Sequence, residues 1–299
     1  MKKATVLFLI LGLIVQFKNF AHPISQTPTP FTPSRFVGTG SPYWSDNYGK
    51  WKLKNLENSF KKITEWMYMA ETEVTNQQYN YYLSALLEQK DFTTLMLVKA
   101  EKVEWRTLLP DNLKNLDDKT LFPHGFPDAP AYPAQNMSYE AAVSYCNWLT
   151  NFYNNEDAEK RKWKKVVFRL PTEEEWMTVA RGQFDKTYLY PWKFNTPQNP
   201  KGCFLSNYNC ANEDCKDCKI SDKITKDGAL FTAKADSYFP NDFGLYGMIG
   251  NVAEMTTTQG IAKGGSWEDI PALCTIQSQK KYTNPSPAIG FRILMEIVE

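Results

Sequence analysis

Arg169-Leu170-Pro171-Thr172-Glu173-Glu174-Glu175-Trp176, closed shortly afterwards by Ala180-Arg181-Gly182, is the stretch from which the fold is read. Val166-Val167-Phe168 just ahead of it is rich in β-branched and aromatic residues and predicts a short strand. Thr172 with Glu175 three residues on is a capping box: the hydroxyl accepts an orphan amide of the first turn, and the carboxylate reaches back to the cap. Three consecutive glutamates favour the positive end of the helix they open. Arg181-Gly182 ends that helix soon after it starts, so a strand, a sharp entry and a short helix follow in sequence.

Working outward, Thr75-Asn76-Gln77-Gln78 is a second capping box, and the helix it opens carries Tyr79, Tyr82, Leu83 and Leu86 on one side. A third helix follows Ser138 and aligns Ala141, Tyr145, Trp148, Leu149 and Phe152. Further strand-like runs are Ile261-Ala262-Lys263 and Phe291-Arg292-Ile293-Leu294. The remainder is turn-rich, and long connections in a compact domain are usually held by metal, disulfides or function. With 299 residues, 42% of them hydrophobic, the chain has material for a large core. The expectation is an irregular, loop-rich α+β domain.

A net charge of +1 gives no reason to expect nucleic acid, which demands a surplus of Lys and Arg. Lys2 and Lys3 precede an apolar run from Ala4 to Val15, which matches a signal peptide over residues 1–21. That run is shorter than the roughly 20 residues needed to span a bilayer. The mature chain is therefore expected to have no transmembrane span and to be exported to the periplasm, outer envelope or medium; an uncleaved anchor is the alternative. A Pro/Thr linker fills residues 22–34, and the folded domain is expected over 35–299. Of six cysteines, Cys203, Cys210, Cys215 and Cys218 cluster and are disulfide candidates in an exported chain. Cys215-x-x-Cys218 is also half of a zinc pattern, and free thiols are the third possibility. Cys146 reads as a core thiol.

Five stretches, taken in order, resemble the formylglycine-generating enzyme (sulfatase-modifying factor) family. They are Met69-Ala70-Glu71-Thr72-Glu73-Val74-Thr75-Asn76; Pro133 through Tyr145-Cys146-Asn147-Trp148-Leu149; the Arg169–Gly182 unit; Pro240 through Gly250-Asn251-Val252 to Glu254; and Gly264-Gly265-Ser266-Trp267 through Cys274 to Gly290-Phe291-Arg292. The resemblance implies a single α+β domain, low in regular structure, with a C-type-lectin-like core. Trp176, Trp267, Arg169 and Arg292 read first as structural residues, the arginines in ion pairs.

The resemblance also implies two structural calcium sites. The first falls on Asn207, Tyr208, Asp227 and Ala229 and the second on Gly247, Gly250, Val252 and Glu254, where Gly247 lacks the side-chain oxygen usual at that place. Active members use copper(I) held by two thiols, and their reaction pocket falls here on Ser266 and Cys274. The other thiol position is Asp269, a hard ligand in place of a soft one, and the tryptophan usual before the glutamate is Ala253. His22 and His124 are too few for the three-histidine iron enzymes of the same fold.

The expectation is an exported, calcium-stabilised and catalytically silent relative without copper, acting as a binding or assembly component of the cell envelope with an envelope or secreted protein as partner. Silent relatives of this kind include the gliding-motility and type IX secretion ring proteins. The alternative is an oxidase that converts a sulfatase cysteine to formylglycine with Cys274 and Ser266. The charged, Pro-rich stretch from Lys90 to Ala131 is the candidate partner surface, with an ordinary solvated loop as the other reading.

Overall fold

The computed structural model describes residues 53–209 and 229–299. Its helices are α1 (Leu53–Asn58), α2 (Asn76–Glu88), α3 (Phe92–Val98), α4 (Asp118–Leu121), α5 (Tyr139–Asn155) and α6 (Glu173–Arg181). Its strands are β1 (Phe60–Lys62), β2 (Met67–Ala70), β3 (Val166–Arg169), β4 (Ala253–Met255), β5 (Ile261–Lys263), β6 (Gln279–Lys281), β7 (Ile289–Gly290) and β8 (Leu294–Ile297). They lie within one unit, Val37–Glu299. The signal and linker segments, Asp227, Cys210, Cys215 and Cys218 lie outside the described residues.

The strands form two sheets of order β1-β2-β8-β3 and β6-β5-β4-β7. The first is antiparallel throughout, so the last strand of the chain is clamped between β2 and β3. In the second, β4 pairs antiparallel with β5 and parallel with β7, and β6 is an edge. Helices α2 and α5 pack over the main core through Tyr79, Tyr82, Leu83, Tyr145 and Leu149. Tyr79, Tyr82 and Tyr145 meet there with ring centroids 5.6–5.8 Å apart. Among the described residues no helix is long and apolar enough to cross a membrane.

Local chemistry explains the helix starts. The Gln78 amide donates to Thr75 Oγ1 at 3.3 Å and Gln78 Oε1 accepts from the Thr75 amide at 2.8 Å. Ser138 Oγ caps α5 through the Ala141 amide. In α6 the same reciprocal pair joins Thr172 and Glu175. Glu175 also receives both Arg169 guanidinium nitrogens at 2.8 Å, so one carboxylate caps the helix and ties it to β3. Gly182 then ends α6 with φ 64°, a left-handed position that a glycine adopts cheaply.

Two expectations need correction. The strand read over Phe291–Leu294 begins only at Leu294. Phe291 and Ile293 present their carbonyls to the Val74 and Ala70 amides, while the Arg292 side chain turns into the interior. The Lys90–Ala131 stretch is more than a solvated loop: it contains α3 and α4, and Trp105, Leu109, Leu113 and Leu121 form a small core with Phe231.

Thr172→Ala is expected to cost about 1 kcal/mol by loss of the cap hydroxyl. Urea unfolding will show a lower midpoint with an unchanged slope, and Thr172→Ser will recover most of the loss.

Candidate functional site

Strand β5 leads into Gly264 and Gly265, at φ 90° and 69°. A Cβ on Gly265 would lie 2.6 Å from Cys274 Sγ, and one on Gly264 would lie 2.8 Å from the Met248 carbonyl. The glycines therefore let the chain fold back onto the thiol. Cys274 is fully buried, and its Sγ lies 3.6 Å from the Ser266 and Asp269 carbonyls. Ser266 Oγ donates to Asp269 Oδ2 at 2.5 Å. Lys280, reaching in from the edge strand β6, donates to both Asp269 oxygens at 2.7 and 2.8 Å, to Glu268 Oε1 at 2.7 Å and to Ser266 Oγ at 3.3 Å. Burial works against the lysine charge, but the hydrogen bonds to Asp269 and Glu268 outweigh it and hold Lys280 above its ordinary value. The structure thus brings Ser266, Asp269 and Cys274 together as the sequence implied and adds Lys280. This set does not fit copper(I): one thiol is present among the described residues, and the carboxylate at the other position is already paired with an ammonium. Ala253 is buried in β4, packed in the main core with the α2 and α5 tyrosines.

Behind the pocket lies a fully buried charge cluster. Arg292 donates to Glu254 through Nε at 3.0 Å and Nη2 at 2.7 Å, and to the Ala70 and Tyr246 carbonyls at 3.0 and 2.6 Å. Trp176 Nε1 donates to Glu254 Oε2 at 2.6 Å. Glu73 lies alongside, with Oε2 4.0 Å from Arg292 and Oε1 accepting from Asn251 at 2.9 Å. Burial pushes the Glu73 carboxyl up to about 8; Arg292 pulls it down and Glu254 pushes it further up. Two carboxylates facing one guanidinium leave one negative charge in excess, and a proton on Glu73 removes it. A Cβ on Gly247 would lie 2.7 Å from both Glu73 oxygens, so glycine is required there.

The residues of the second calcium set are otherwise engaged in this geometry. Gly250 and Val252 are in place, but Glu254 is committed to Arg292 and Trp176, and Gly247 faces a carboxylate from elsewhere in the chain. These residues do not fit calcium. The first set differs. Asn207 Nδ2 donates to the Phe231 carbonyl at 2.6 Å, while its Oδ1 is buried with no hydrogen-bond partner among the described residues. Tyr208 and Ala229 are buried beside it. An orphaned buried acceptor fits a hard cation. Among the described residues no three His, Cys, Asp or Glu side chains converge on a metal position. Cys203 is exposed without a disulfide partner among the described residues. Cys146 is a buried thiol whose burial pushes it well up, as an inert core position requires. His124 is an exposed turn residue. Sequence reasoning missed Lys280 and the role of Glu73. Glu73 lies inside a quoted motif, whereas nothing local marks Lys280.

With this geometry in hand, comparison with known proteins is informative. The family described as the sulfatase-modifying factor enzyme 1-like domain matches residues 50–297. The formylglycine-generating enzyme of Thermomonospora curvata is 30% identical over 128 residues, 42% of this chain and 33% of that protein. The formylglycine-generating enzyme of Mus musculus is 30% identical over 187 residues, 54% and 43% of the two chains. The inactive C-alpha-formylglycine-generating enzyme 2 of Bos taurus is 27% identical over 177 residues, 54% and 49%. This chain thus spans a third to a half of the length of these relatives. Among solved structures, CarF aligns with TM-score 0.48 and 21% identity over 78% of this chain and 87% of its own. PvdO from Pseudomonas aeruginosa aligns with TM-score 0.48 and 18% identity over 77% and 80%.

The folded Glu73 pKa lies above its unfolded value, so its contribution to stability is complete below about 4.5 and is lost as pH rises toward about 8. The expected result is a melting temperature that falls across that window in the wild type and is flatter in Glu73→Gln. Parallel curves for the two proteins would refute it.

Proposed function

We propose, from the fact that this chain belongs to the sulfatase-modifying factor enzyme 1-like family, that it is an exported, catalytically silent member stabilised by calcium and serving as a binding or assembly component of the cell envelope. One observation carries the loss of chemistry: among the described residues the pocket holds a single thiol, Cys274, and the place of the family's other thiol is Asp269, bound to Lys280 and Ser266. A soft one-electron metal needs soft donors, and a carboxylate neutralised by an ammonium is a poor replacement. The full burial of Cys274 and the small Ala253 side chain favour the same reading. Relatives named as inactive formylglycine-generating enzymes, from Bos taurus and Mus musculus, are among those this chain resembles.

Calcium has its best support at Asn207, Tyr208, Asp227 and Ala229, where the unpartnered Asn207 Oδ1 is the motivating observation. A calcium ion there would hold loops together and take no part in a reaction. Export rests on the Lys2-Lys3 segment and the apolar run after it. The Lys90–Ala131 stretch supports a partner role through exposed apolar side chains on α3: Phe92, Met96 and Leu97 are 56%, 75% and 74% exposed.

Purified mature protein is expected to leave a sulfatase-derived cysteine peptide unoxidised in the presence of copper and oxygen, as read by mass spectrometry. Turnover abolished by Cys274→Ser would overturn the silent reading. Millimolar calcium is expected to raise the melting temperature by several degrees and a chelator to reverse it, with Asn207→Ala abolishing the response. An unchanged melting curve would sink the calcium assignment alone.

A further inference from the structure

We infer that Lys280 is the resident cation of the Cys274 pocket: its ammonium, carried in on the edge strand β6, holds Asp269, Glu268 and Ser266 and so closes the Gly264–Cys274 loop over the thiol without a metal ion. The inference rests on the reading that this pocket has no place for copper, and it goes beyond that reading by naming what fills the pocket and what the filling does.

An ammonium has three donors and no acceptor. Those of Lys280 meet Glu268 Oε1 at 2.7 Å, the Asp269 carboxylate at 2.7 and 2.8 Å and Ser266 Oγ at 3.3 Å. The ammonium thus bonds to three residues of one four-residue turn. Asp269 has its two oxygens shared between Lys280 and the Ser266 hydroxyl.

The Lys280 and Asp269 side chains are 21% and 13% exposed, unlike the pairs out in solvent. Exposed pairs contribute little, whereas removing one partner of a shielded pair leaves a charge uncompensated. Lys280 is anchored by the β5–β6 pairing, in which it stands opposite Ala262, just before the glycines. The pair therefore ties the middle of the loop to β6, the neighbour of the strand from which the loop departs. The loop in turn buries the thiol, with Cys274 Sγ 3.6 Å from the carbonyls of Ser266 and Asp269.

A cation entering between Cys274 and Asp269 would have to displace the ammonium from Asp269 and would feel its repulsion. Converting Asp269 to cysteine alone therefore supplies a second thiol and leaves the repelling charge in place.

Two measurements on the mature protein test this. In Lys280→Gln, amide hydrogen exchange over residues 266–274 is expected to rise at least tenfold with α2 and α5 unchanged, while Lys280→Arg keeps the loop protected. If Lys280→Gln does not fold, Glu268→Gln, which removes one of the three holds, is expected to raise exchange over the same residues by a smaller factor. In copper(I) titrations against a chromogenic chelator, the wild type is expected to bind no more than Cys274→Ser does. Asp269→Cys/Lys280→Gln is expected to bind one equivalent at least tenfold more tightly than Asp269→Cys. Loop exchange that ignores every substitution, or equal affinity in the single and double variants, would overturn the role of Lys280. Peptide oxidation by the wild type would instead overturn the silent reading, with the exchange data still deciding whether Lys280 holds the loop.

Discussion

The guanidinium of Arg292 is the interaction on which the rest of this structure depends. A charge with no exposure survives only if it is paired and its remaining donors are satisfied. Glu254 supplies the pair, and the Ala70 and Tyr246 carbonyls take further donors. Those partners come from β2, from the turn before β4 and from β4 itself, so the arginine ties together segments up to 222 residues apart in sequence. Trp176 adds α6 through the same Glu254 carboxylate. Breaking such a pair from one side typically costs about 3–5 kcal/mol, a large part of the total stability of a domain. The strands are short, two to four residues each, and this cluster adds side-chain ties between segments that their brief ladders also join.

This division of labour explains how the fold persists when the reaction pocket changes. Gly264 and Gly265 are demanded by backbone approach to Met248 and Cys274, Trp176 by Glu254, and Arg292 by two carboxylates. None of those requirements involves a second thiol at position 269 or an aromatic at 253. The family signature is thus mostly a signature of architecture, and function has to be argued from the few positions that are free of it.

What the sequence made legible follows the same line. Thr75, Ser138 and Thr172 were readable because a cap is satisfied within one turn of its own helix, and the tyrosine stripes of α2 and α5 because helical periodicity is local. Arg169 was readable as an ion-pair residue, but its bidentate partner Glu175 doubles as the cap, which spacing alone does not disclose. Lys280 was illegible because its role exists only after β6 pairs with β5 and brings it over the loop. The mini-core of Trp105, Leu109, Leu113, Leu121 and Phe231 was illegible for a similar reason: its last member lies more than a hundred residues along the chain.

Glu254 shows why a ligand pattern read from sequence can fail while every residue in it is present. A carboxylate binds whichever cation is nearest and best placed, and here that cation is Arg292. Gly247 belongs to the same arrangement: the side chain it lacks would collide with Glu73, the second acid drawn to the arginine. At Asp269 the nearest cation is again one of the chain's own, Lys280. Among the described residues Asn207 differs from both, because its side-chain oxygen is buried and has no hydrogen-bond donor. On the proposed reading, side-chain cations occupy two of the positions where the family resemblance implies a metal, and the Asn207 amide oxygen is the place where an external ion would gain most.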